Sequence, residues 1–164
     1  MRIYLLNTSK PYDENEDSYA GDWFTCPVDY EEVRERLHMQ EGDTYAIEDY
    51  ELPFPIREDT PLWEINANCR MVQELEGTPL YDEMKAIQER WFSSFEDFLD
   101  HKDDIRFYDV ENPEELARYL LVNESMYGGI PVEVQPHVDY RSFGRELEAT
   151  DAFLFTDSGV FRYR

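Results

Sequence analysis

The chain has 164 residues, 41% hydrophobic and 15% aromatic, so it holds the apolar material for packed cores and is not a disordered polyanion. Its 38 acidic residues against 15 lysines and arginines leave a formal net charge of −23. That excess excludes phosphate-seeking roles, because nucleic acid and anionic membrane surfaces both require a basic face; a basic partner is favoured instead.

In chain order, "RIYLLNT" (residues 2–8) predicts a strand, followed by the polar loop "SKPYDENEDS". A second strand is expected at "AGDWFTC" (20–26). Asp29 then caps a helix with Glu32 as its capping-box partner, and Tyr30, Val33 and Leu37 form the apolar line. "DTYAIEDYE" (43–51) predicts a third strand, and the prolines of "LPFPIREDTP" end it in a loop. In "YAIEDYELPFP", Tyr45, Ile47, Leu52 and Phe54 are expected to anchor the core while Glu48, Asp49 and Glu51 sit at its rim.

The middle of the chain is helical. Thr60-Pro61 and Thr78-Pro79 read as caps followed by first helical residues, with Gly77 as the stop between them. Leu62, Ile65, Cys69, Val72 and Leu75 keep helical spacing, as do Leu80, Met84, Ile87 and Trp91. "SSFEDFLD" opens another helix with Ser93 and Glu96 as a capping box. Beyond it, "DIRFYDV" predicts a strand and Asn112-Pro113 opens a helix through "ELARYLLV". "YGGIP" breaks the chain, "DYRSFGREL" predicts a helix, and "AFLFTDSGVFRYR" predicts a hairpin turning at Asp157-Ser158-Gly159. The fold class expected is α+β, an elongated chain of three small units. These are an N-terminal α+β domain (1–61), a helical domain (62–103) and a C-terminal α+β domain (104–164). A mean hydropathy of −0.70 suits several small cores better than one sphere.

Acids outnumber bases throughout: 16 to 5 in residues 1–61, 10 to 4 in 62–103 and 12 to 6 in 104–164. The charge therefore belongs to the folded elements and not to a tail. Familiar chemistry is missing from the sequence. Asp13, Asn15 and Asp17 alternate as in a calcium loop, but Ser18 and Phe24 stand where an EF-hand needs glycine and glutamate. His38, His101 and His137 are scattered, and Cys26 and Cys69 have no metal or redox spacing, which marks them as reduced core thiols. No phosphate loop, dinucleotide fingerprint or nucleophile elbow occurs, so neither an enzyme nor a cofactor is expected, and no metal site. The N-terminal apolar run is too short for a signal peptide and no stretch approaches a membrane span, so a cytoplasmic protein is expected.

Carboxylates can act as charge alone. B-DNA carries one negative charge per about 1.7 Å of axis, and most protein–DNA hydrogen bonds go to phosphate and sugar. A folded polyanion can therefore enter a DNA-shaped basic channel without imitating any base. Twice −23 gives a dimer −46, the phosphate count of about 23 base pairs. The scarcity of lysine (Lys10, Lys85 and Lys102) also fits adaptation to high salt, and composition leaves both readings open.

Several stretches together resemble the ArdA antirestriction family: "AGDWFTCPVDYEEVRERL" (20–37), "YAIEDYELPF" (45–54), "ELARYLL" (115–121), "GGIPVEVQPHVDYRSFGREL" (128–147) and the closing "GVF". The resemblance covers both outer thirds in order and is weaker through the helical middle. It implies a homodimeric DNA mimic, carried by mobile elements, that occupies the DNA-binding groove of type I restriction-modification enzymes. The family's antirestriction motif would fall near residues 122–139, where Met126, Tyr127, Ile130, Pro131, Val132 and Val134 outweigh the acids Glu124, Glu133 and Asp139. That segment reads either as the dimer contact or as packing within its own unit. Candidate phosphate stand-ins in the first third are Glu31, Glu32, Glu35, Asp43, Glu48, Asp49 and Glu51. In the middle they are Glu64, Glu74, Glu83, Glu96, Asp97 and Asp100, and in the last third Asp109, Glu111, Glu114, Glu115, Glu146 and Glu148. The alternative function is an acidic adaptor for another basic, DNA-binding partner.

Overall fold

A computed structural model of the chain describes residues 1–10, 14 and 20–164. The calcium-loop positions Asp13, Asn15 and Asp17 lie outside the described residues. The fold is α+β, with two antiparallel three-stranded sheets and a helical middle. Two compact units divide it, Met1–Glu76 and Gly77–Arg164.

In the first unit, β1 (Arg2–Asn7) lies between β2 (Gly21–Thr25) and β3 (Tyr45–Glu51), antiparallel to both. Strand alternation puts Ile3, Leu5 and Asn7 on a fully buried face. Asn7 is satisfied there: its side-chain amide donates to Leu37 O at 3.0 Å and its Oδ1 accepts the Ser9 N–H at 3.1 Å. Helix α1 (Tyr30–Arg36) starts at Asp29, whose carboxylate accepts the Glu31 N–H at 2.9 Å. Two sequence expectations change here. Glu32 does not close a capping box but accepts from Arg36 at 2.8 Å. Tyr30 leaves the apolar line and is exposed, while Val33 and Leu37 are buried.

Helix α2 (Leu62–Leu75) buries Leu62, Ile65, Cys69, Val72 and Leu75, as its spacing predicts. Its start lies one residue later than expected. Pro61 takes the cap position, and the Thr60 hydroxyl instead closes the preceding turn by accepting the Arg57 N–H at 2.8 Å. Buried Asn66 fastens α2 to the segment after β2: Oδ1 accepts the Val28 N–H at 2.6 Å and the amide donates to Val28 O at 2.9 Å. Cys26 and Cys69 are free, buried and hydrogen-bonded to each other. That bond, together with burial, raises the Cys69 pKa, so its thiol stays protonated.

The second unit opens with helices α3 (Pro79–Asp82), α4 (Met84–Trp91) and α5 (Phe95–His101). Thr78 caps α3 as expected, but the single helix predicted through Trp91 is broken at Glu83, whose carboxylate accepts the Ser158 hydroxyl at 2.7 Å. The cap of α5 is Ser94 rather than Ser93, accepting the Asp97 N–H at 3.1 Å, and Asp97 reaches back to the Ser93 N–H at 3.2 Å. Starting there aligns Phe95, Phe98 and Leu99 as the buried residues of α5.

The second sheet has β6 (Gly159–Tyr163) between β4 (Ile105–Tyr108) and β5 (Phe153–Thr156), with the β5–β6 hairpin turning where the sequence predicts. Trp91 Nε1 donates to Asp151 O at 2.7 Å and Phe92 meets Tyr163 at 4.7 Å between ring centroids, joining α4 to this hairpin region. Helices α6 (Pro113–Arg118) and α7 (Tyr140–Glu148) are capped by Asn112 and Asp139. Tyr108, Leu116, Ala117, Leu120, Tyr140, Leu147, Phe153 and Val160 form their core. No helix among the described residues is long and apolar enough to cross a membrane.

Candidate partner-binding surface

None of the candidate acids is buried: Asp43, Glu64, Glu83 and Asp97 are half-buried and the rest are exposed. Local rules place many of them. Glu31 and Glu32 occupy the first turn of α1, Glu96 and Asp97 that of α5, and Glu114 and Glu115 that of α6. There the helix dipole favours negative charge. Glu74 lies in the last turn of α2, Asp100 on α5, Asp109 and Glu111 on the loop after β4, and Glu146 and Glu148 on α7.

Strand β3 shows how tertiary structure turns acids outward. Leu5 pairs with Ile47 and Tyr4 with Asp49, so Glu48 is an inserted bulge residue without a partner on β1. The insertion leaves Glu48 and Asp49 both exposed although they are adjacent in sequence. Because β3 is a sheet edge, these charges also oppose edge-to-edge pairing with another chain. Ile47 and Phe54 are buried as anchors, Leu52 is half-buried, and Tyr45 turns outward at 37% exposure, against expectation.

Some acids are committed to structure within the chain. Glu51 receives a two-pronged hydrogen bond from Arg2 at 2.6 and 2.7 Å, and this bond holds its carboxyl below the usual carboxylate pKa. Asp22, absent from the candidates, is likewise lowered, first by the Arg36 guanidinium and then by the Trp23 N–H. Glu115 accepts the Glu111 N–H at 2.9 Å and Asp43 the Gln40 N–H at 2.8 Å. Exposed Glu41, Glu58, Glu89, Asp103 and Asp104 are not among the sequence candidates; adjacency to another acid could have flagged Glu58, Asp103 and Asp104, but not Glu41 or Glu89.

These carboxylates present fixed charge. Acid–base catalysis calls for a carboxyl whose burial raises its pKa, whereas among the described residues the two shifted carboxyls, Asp22 and Glu51, are both lowered. No group of three or more histidines, cysteines or acids among the described residues is arranged to hold a metal ion.

The apolar segment behaves in two ways. Tyr127 and Val132 are 74% and 75% exposed, and Met126, Pro131 and Val134 are exposed as well. Ile130 instead packs half-buried against the core of its own unit.

Among curated proteins, none matches the chain. The model of the family described as antirestriction protein (ArdA) matches residues 12–162, from ahead of β2 through the helical middle and into β6, with β1 lying before the matched residues. With the match covering nearly its whole length, the chain belongs to the ArdA family of antirestriction proteins, non-catalytic DNA mimics that inhibit type I restriction-modification enzymes.

Proposed function

We propose that the exposed carboxylates stand in for DNA phosphates in the groove of the methyltransferase core, blocking it by occupation. The observation that carries this reading is their display: acids on an edge strand, in first turns and on the outer face of α7, with none withdrawn into a core. Negative charge distributed over both units suits a long basic channel better than a single acidic pocket would. The site of action follows from the target and is cytoplasmic.

The test is competition with DNA for a purified type I methyltransferase core. A several-fold molar excess of the protein is expected to displace DNA and suppress methylation, with the effect weakening as salt rises. Binding without displacement of DNA points to the adaptor function instead. No binding removes the mimic reading.

We further infer that Met126, Tyr127, Pro131, Val132 and Val134 contribute a homodimer contact, with Ile130 supporting it from beneath. Two exposures near three-quarters in one short apolar segment support this. Val132→Asp is expected to convert the dimer to monomer in size measurements at micromolar concentration, with the circular dichroism spectrum of the folded chain retained. Val132 is the cleaner probe, since a charge at half-buried Ile130 also disturbs the core.

A further inference from the structure

We propose that a groove in the first unit is a socket for one basic side chain, lysine or arginine, of the restriction-modification enzyme; this rests on the DNA-mimic reading. The groove has a volume of about 500 Å³ and lies between α1, the turn at residues 39–43 and the start of β3. Buried Val33 and Leu62 are among its lining, with half-buried Met39 beside them. Tyr30 and Tyr45 also line it and remain 48% and 37% exposed, so their rings border open space.

Charge selects the occupant. Glu41 and Asp43 line the same groove, and Asp43 is held in place by accepting the Gln40 N–H at 2.8 Å. Gly42, at φ +87°, gives the tight turn that carries both acids. The single cation of the lining, Arg34, already has Glu31 at 3.7 Å. An anionic occupant would meet Glu41 and Asp43, and a neutral aromatic one would leave their charges unanswered. A lysine or arginine satisfies every part of the groove. Its methylene stem covers the apolar lining, its cation meets the carboxylates, and the tyrosine faces add a cation–π attraction. A DNA phosphate offers such a cation charge alone. The groove would thus be a local anchor within an otherwise diffuse charged surface.

The experiment measures competition with DNA for a purified type I methyltransferase core at two salt concentrations. Y30A/Y45A is expected to weaken inhibition about tenfold while leaving its salt dependence unchanged, because no net charge is lost. Restoring the rings with Y30F/Y45F recovers the loss. A double alanine variant within twofold of wild type, while wild type displaces DNA, overturns the socket and leaves the mimic reading standing. Failure of wild type to displace DNA removes both. Should the double variant not fold, the single Y30A variant answers, at a position on the exposed start of α1. About threefold loss is then expected, and no loss overturns the socket.

Discussion

Replacing Gly144 with alanine is expected to destabilise the second unit by about 3 kcal/mol and to lower its unfolding midpoint in denaturant. A Cβ at Gly144 would lie 2.5 Å from Pro113 O, 2.6 Å from Pro113 C and 2.9 Å from Glu114 N. All three are backbone atoms, so no side chain can rotate away to make room. The first turn of α6 is also fixed, by the Glu115 N–H donating to Asn112 at 2.9 Å and by the burial of Leu116 and Ala117. Alanine gains about 1 kcal/mol of helix propensity over glycine, but this does not offset forcing two packed helices apart. A midpoint unchanged from wild type would show that α6 and α7 tolerate greater separation. Function should suffer as well, because Glu114, Glu115, Glu146 and Glu148 are displayed by these two helices.

Neutralising acids together is expected to weaken inhibition strongly where neutralising them singly barely changes it. Glu35, Glu48, Asp49, Glu96, Asp100, Asp109, Glu146 and Glu148 are all exposed, and substituting each by its amide keeps size and shape. An exposed charge pair contributes roughly 0.3 kcal/mol, so one substitution should change the inhibition constant less than about twofold. All eight sum to roughly 2.4 kcal/mol, on the order of fifty-fold, with a shallower salt dependence. Folding should survive, since removing like charges relieves self-repulsion. Single variants that each cost as much as the full set would indicate a few specific contacts rather than collective charge.

The stretch "YAIEDYELPFP" separates what is legible in a sequence from what is not. Its apolar residues and prolines are enough to predict a strand running into a loop, and its three acids mark a charged rim. The bulge that leaves Glu48 and Asp49 both exposed depends on how β3 registers against Tyr4 and Leu5, more than forty residues earlier. The outward turn of Tyr45 and Tyr30 beside a groove follows from the same assembly. Spacing counts both rings as core because hydrophobic periodicity records residue type and interval, not which neighbours arrive to cover them.

The helix ends teach a related lesson. Asp29, Thr78 and Asn112 cap where the sequence places them, because a cap and its target N–H lie within three residues. Ser94 displaces Ser93 and Pro61 displaces Thr60 by one position, since burial of Phe95, Phe98 and Leu62 decides the final phase of each helix. The union of α2 with the first sheet through Asn66 and Val28 has no local signature, because its partners are thirty-eight residues apart.

By itself the sequence determined the excess of acids, their spread along the chain, the order and type of most elements, and the family resemblance. Each of these depends on composition or on neighbours within a few residues. Only the tertiary structure decided which acids face outward, which are held by Arg2 or Arg36, and which aromatic rings stay uncovered. Those outcomes are set by strand register, helix phase and contacts between distant segments, and burial is a property of the assembled unit rather than of any one residue.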